Sequence, residues 1–144
     1  MTAKEYLSQA RQLNRKIDSK TAVLSGLRAM AEKTTSVLSK TVVSSNRNTH
    51  SMEDTIARIV DLENEINADI DRLVEMKAEI TGAIRAIENQ DYQTVLELRY
   101  LCYMDWDEMA KMMNRTKSNM YKLHNKALEM IKVPKNDIQN GRIE

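Results

Sequence analysis

Between Arg115 and Lys126 the chain gathers groups suited to polyanions and base edges, with no acidic side chain among them. Lys117 and Lys122 offer ammonium donors, Asn119 an amide that both donates and accepts, and Ser118 a hydroxyl. An amide matches the paired donor and acceptor of adenine and an ammonium matches the acceptors of guanine, so these four are the candidates for reading bases. Arg115, Thr116, Tyr121 and Lys126 are the candidates for phosphate oxygens, whose contacts position a protein on a duplex without reading it. Tyr121 fits a place in a core equally well. Such chemistry needs these residues on an exposed helix face, held by other elements.

Those elements are legible around it. Asp105 stands at an N-cap position with Glu108 three residues on, a capping-box spacing, so a helix over Trp106–Met113 is expected, with Met109, Met112 and Met113 inward. Asn114 and Arg115 form a break, since Asn tolerates the left-handed conformation, and Thr116 caps a second helix. Met120, Leu123, Ala127 and Ile131 recur at helical spacing as its buried stripe. A preceding helix, 92–101, turns in Val95, Leu96 and Leu98 or Tyr100. Residues 91–133 therefore read as a three-helix helix-turn-helix domain whose last helix enters a major groove, followed by a flexible tail over 134–144.

The run Trp106-Asp-Glu108-Met109-Ala110, then Thr116, then Met120-Tyr121-Lys122-Leu123-His124 and Ala127-Leu128 resembles region 4 of bacterial sigma-70-type factors. It departs from that pattern in Asn114, where a Gly often stands, and in Met for the usual Ile or Val. The match covers roughly a quarter of the chain. With the start Thr2–Arg11 and the stretch Met52–Ile66, the whole chain resembles an uncharacterised family of phage and prophage proteins of Gram-positive bacteria. The tail of that family is similar to ArpU- and RinA-type late transcription regulators. The resemblance implies transcription control and, through region 4, a contact with host RNA polymerase.

Upstream, a series at 3, 6, 10, 13, 17, 20, 24, 27, 31, 34 and 38 holds apolar residues at all but Lys20 and Thr34. A second, at 52, 56, 59, 63, 66, 70, 73, 77, 80, 84 and 87, is broken only by Glu63 and Lys77. Each alternates spacings of three and four, the signature of a coiled-coil seam. Residues 39–51, rich in turn formers, read as the loop between them. Three Gly, one Pro and no Phe favour an all-helical fold. The expected architecture is all-α: a long antiparallel coiled-coil hairpin over 1–90, then the helix-turn-helix domain. Whether the hairpin closes within one chain or between two stays open. Val60, Leu62, Val74 and Met76 widen the apolar face of the second helix beyond one seam, which calls for a further helix from a second protomer or from the C-terminal domain.

Charge is segregated. Residues 1–51 carry nine Lys/Arg against three Asp/Glu, residues 52–91 four against eleven, and residues 99–135 eight against four. A chain of net charge +1 thus keeps a locally basic C-terminal region. Arg11, Arg15, Lys16 and Arg28 form a basic face on the first helix, read as a solvated flank beside its acidic neighbour in preference to a second DNA contact or a membrane surface.

Other chemistries find little apparatus. The Met cluster at 104, 109, 112, 113, 120 and 130 reads mainly as soft core packing around Trp106. Asp105, Asp107 and Glu108 serve capping and the helix dipole better than a cation. Cys102, read as buried or half-buried, has no neighbouring base, and with His50 and His124 it makes no nucleophilic arrangement. No catalytic residue, metal or cofactor is expected, and a single Cys, no membrane-length apolar run and no signal core point to the cytoplasm of a bacterial host. The reading is a sequence-specific regulator binding double-stranded DNA as a homo-oligomer, a dimer favoured. The alternatives are a small-terminase-like packaging subunit and a protein-interaction adaptor for RNA polymerase.

Overall fold

Thr2 opens the first helix: its Oγ1 accepts the Glu5 N–H at 3.1 Å, and the Glu5 carboxylate accepts the Thr2 N–H at 3.0 Å. This reciprocal capping box holds the Glu5 carboxyl below its usual range. Helix α1 then runs Ala3–Lys40 and α2 runs Ser45–Arg85. The computed structural model describes residues 1–40 and 45–135, with 35–40 and 45–50 described as backbone alone. All regular structure among them is helical. The connection expected over 39–51 is narrower, because Lys40 is still in α1 and residues 45–51 are already in α2. That segment contains neither Gly nor Pro, and lengthening an existing helix gains a hydrogen bond per residue ordered, so turn-forming side chains alone do not stop it. Residues 41–44 and the tail expected to be flexible beyond Lys135 lie outside the described residues.

The chain divides into two compact units, one of residues 13–74 and one of residues 1–12 with those from 75 onward. In the first, Ile17 and Leu24 of α1 cluster with Ile66 of α2, and Leu13, Ile59, Leu62 and Leu73 pack against them. Lys20 bonds Asp69 at 2.8 Å and Glu65 at 3.2 Å, and Arg28 pairs with Glu63. Ascending positions on α1 thus meet descending positions on α2. From residue 15 to 34 the positions shielded from solvent are 17, 20, 24, 27, 31 and 34, all members of the expected first series. Lys20 belongs there because its partner is also in the seam. The hydrogen bond to Asp69 raises the lysine's pKa, and the same bond lowers that of Asp69.

The second series needs correction. Ile56 and Ile70 are 49% and 41% exposed, while Leu62 and Asp69 turn inward, so the row meeting α1 is 59, 62, 66, 69 and 73. It shares 59, 66 and 73 with the expected row. Helix α2 carries two apolar rows side by side, and packing against α1 covers only one of them.

In the other unit, Asn89 caps α3 (Gln90–Leu96) by accepting the Tyr92 N–H at 3.1 Å. A π-helical turn, Glu97–Leu101, follows, then α4 (Trp106–Met113) and α5 (Lys117–Met130). Helix α5 packs on both α3 and α4. Ile80, Ile84, Val95, Leu96, Met109 and Met120 are buried here with Leu7 and Ala10 from the start of α1. Tyr100, four residues after Leu96 and within the π turn, is buried with Val95 and Leu96. Three smaller expectations change. Met112 is 63% exposed, because an eight-residue helix has room for one strongly buried row, led by Met109, and Met130 at the end of α5 is 52% exposed, off the row of Met120, His124 and Ala127 that this helix buries. Cys102 is exposed where the π turn ends. In α5 His124 is buried and Leu123 only half-buried, since 120, 124, 127 and 131 form an equally regular helical row.

Candidate functional site

Local backbone chemistry sets the entry to α5. At the end of α4 Asn114 adopts φ 58 and ψ 45, the left-handed conformation. The Arg115 N–H then reaches the Ala110 carbonyl at 3.0 Å and the Asn114 N–H reaches that of Lys111 at 3.3 Å. This pair of bonds closes a helix and turns the chain sharply. Two residues later Thr116 Oγ1 accepts the Asn119 N–H at 3.1 Å and starts α5. At the front of α4, Asp105 Oδ1 accepts the Glu108 N–H at 2.8 Å. The boundaries Trp106–Met113 and the cap at Thr116 agree with the sequence expectation.

Lys117, Ser118, Asn119 and Lys122 are all exposed, as are Arg115, Thr116, Tyr121 and Lys126. Met120, His124 and Ala127 anchor the opposite side of α5 in the core. Ser118, Lys122 and Lys126 follow one another at four-residue spacing, so they line one ridge. Lys117 is on the flank nearer α4, where its Nζ is 3.3 Å from Asp107. Arg115 is paired with Asp91 at 2.7 Å, which ties the turn to the first residues of α3. Thr116 Oγ1 accepts in the cap, which leaves its O–H to donate, and Tyr121 lies against Trp106 with ring centroids 4.8 Å apart. The freest polar groups of the set are therefore Ser118, Asn119, Lys122 and Lys126.

Behind this ridge is a polar and aromatic cluster that the sequence pattern did not single out. Tyr100 Oη and His124 Nε2 are 2.6 Å apart and both side chains are buried. Burial, with the positive charges of Lys4 and Arg99, pushes His124 down to about 4 against a hydrogen bond with Asn125. Burial likewise pushes Tyr100 up to about 12, opposed by Arg99. A neutral imidazole beside a protonated phenol satisfies the contact when Tyr100 donates to Nε2 and Nδ1 carries the ring proton. Trp106 meets the edge of His124 at 4.9 Å, and the Arg99 guanidinium lies 4.8 Å from the Trp106 ring while Nη1 donates to the Met104 carbonyl at 2.9 Å. Arg99 and Trp106 thus brace the junction between the π turn and α4. This cluster lies on the buried side of α5, where His124 sits between Met120 and Ala127. Among the described residues no group of three His, Cys, Asp or Glu side chains is placed to hold a metal ion. Among them, too, no helix is long and apolar enough to cross a membrane.

The chain belongs to the family described as Protein of unknown function (DUF1492), whose model matches residues 29–132. Comparison with curated proteins and with solved structures finds no match.

Proposed function

We propose that this member of the DUF1492 family binds double-stranded DNA sequence-specifically, with α4 and α5 acting as a helix-turn-helix and α5 seated in the major groove, and that it regulates transcription as an oligomer joined through a coiled-coil hairpin of α1 and α2. One observation carries the reading: a sharp left-handed turn delivers a capped helix whose exposed side, from Lys117 to Leu128, holds lysines, Asn and Ser and no carboxylate. A groove lined by phosphates favours that charge pattern, and the buried side of α5 fixes its orientation on the domain. Ser118, Asn119 and Lys122 take the base edges, with Lys117 beside them. Arg115, Thr116, Tyr121 and Lys126 take the backbone. Two copies matter because one small module covers too little DNA to select a site in a genome.

Selection from a random duplex pool tests this directly. The expected product is an enriched site containing a repeat, and no enrichment even at low salt would refute the reading. On the selected site, Asn119→Ala should relax preference at one base pair by about 1–3 kcal/mol. Lys126→Ala should weaken all sequences alike and lower the salt slope by about one.

A further inference from the structure

The second apolar row of α2 lies open to solvent in the single chain. Ile56, Val60, Ile70 and Val74 are 49%, 48%, 41% and 64% exposed, and with Glu63 and Asn67 they form a row at alternating spacings of four and three. That row has the period of a coiled-coil seam. Its members are also placed symmetrically about residue 65. Ile56 and Val74 stand nine positions to either side, Val60 and Ile70 five, and Glu63 and Asn67 two. We infer that this row is the contact between two copies of the chain, with α2 of one running antiparallel to α2 of the other across a two-fold axis near residue 65.

A two-fold contact requires one patch to complement itself, residue i meeting j while j meets i. Under this pairing Ile56 faces Val74 of the second copy and Val60 faces Ile70, so aliphatic meets aliphatic on both sides of the axis. At the centre Glu63 faces Asn67, an acceptor opposite an amide that can donate to it. The contact occurs twice, once on each side of the axis, and polar layers of this kind fix the register of an otherwise apolar seam. Glu63 is already paired with Arg28 of its own chain, so closing the seam buries no carboxylate without a counter-charge. One step further out the same spacing reaches Glu53 and Lys77, twelve positions to either side of residue 65, and brings opposite charges together. A parallel pairing in register would instead set Glu53, Glu63 and Lys77 each against its own copy, three like-charge meetings that the antiparallel one avoids. Exposed Ala57, on the flank of the row, adds no bulk between the two helices. A partner of unrelated sequence would impose no mirror layout on the row. The inference holds whether or not α5 reads DNA.

The test uses the full chain free of DNA, in sedimentation equilibrium. The expected species has twice the 16.6 kDa chain mass. Ile70→Lys and Val60→Lys, at positions exposed in the single chain, should keep the helical circular dichroism and weaken dimerisation by roughly 100-fold or more. In a Cys102→Ser background, the pair Ile56→Cys and Val74→Cys should cross-link between chains on oxidation, whereas Ile56→Cys alone should not. A monomer at all concentrations, a dimer indifferent to both lysines, or cross-linking by Ile56→Cys alone would overturn the pairing.

Discussion

His124 shows how one side chain couples this fold to pH. An unfolded histidine titrates near 6.5, and this one, buried against Tyr100, titrates at about 4. Above 6.5 both states are neutral and pH has no effect through this group. Between 6.5 and 4 the unfolded chain takes up a proton that the folded chain refuses, so stability falls as pH falls, by about 3 kcal/mol at most across the window. Below 4 both states are protonated and this loss levels off. Urea unfolding at pH 7 and pH 4.5 should show the drop in the native chain and a smaller one in His124→Gln. Equal drops in both would refute the assignment. The residue was hard to single out from sequence because a histidine at an apolar spacing is ordinary. Only its neighbours Tyr100 and Trp106, distant along the chain, make it a core member.

At the scale of elements, the pieces that depend on local chemistry were the legible ones. Asp105, Thr116 and Asn114 act on backbone groups within a few residues, so both ends of α4 and the start of α5 could be placed from sequence alone. Asn114 provides the sharpest test. Ala has no side-chain oxygen to offset the left-handed penalty, so Asn114→Ala should cost about 1 kcal/mol, while Asn114→Gly should be neutral or slightly stabilising. Thermal melts of the two variants compare them, and equal loss from both would mean that the amide of Asn114, not its backbone angle, matters. The π turn at Glu97–Leu101 had no such signal. Tyr100, which lies in this turn, meets His124 of α5 at 2.6 Å, a contact between residues 24 apart in sequence.

For the whole molecule, the first twelve residues group with those from 75 onward, not with the rest of α1. Leu7 lies outside the expected seam of α1, yet it is 0% exposed. Leu7→Ala should therefore cost about 2–5 kcal/mol and loosen the surroundings of Trp106, read by its fluorescence in a urea titration. Val23→Ala, at a position 56% exposed, should change stability by less than about 0.5 kcal/mol. Similar losses from both would show that the burial of Leu7 does not stabilise this unit.

The sequence alone determined that the chain is helical, where α4 begins and ends, where α5 begins, and which row of α1 turns inward from Leu13 on, because caps and a single unambiguous period act over short distances. Tertiary structure decided what periodicity leaves degenerate. Helix α2 carries two apolar rows of the same period, and α1 covers the one through Leu62, Ile66 and Asp69, where Ile17 and Leu24 meet Ile66 and Lys20 meets Asp69. The row through Ile56, Val60, Ile70 and Val74 stays open to solvent. Spacing can announce that a row seeks a partner, but which row is covered depends on the side chains that meet it from another part of the fold.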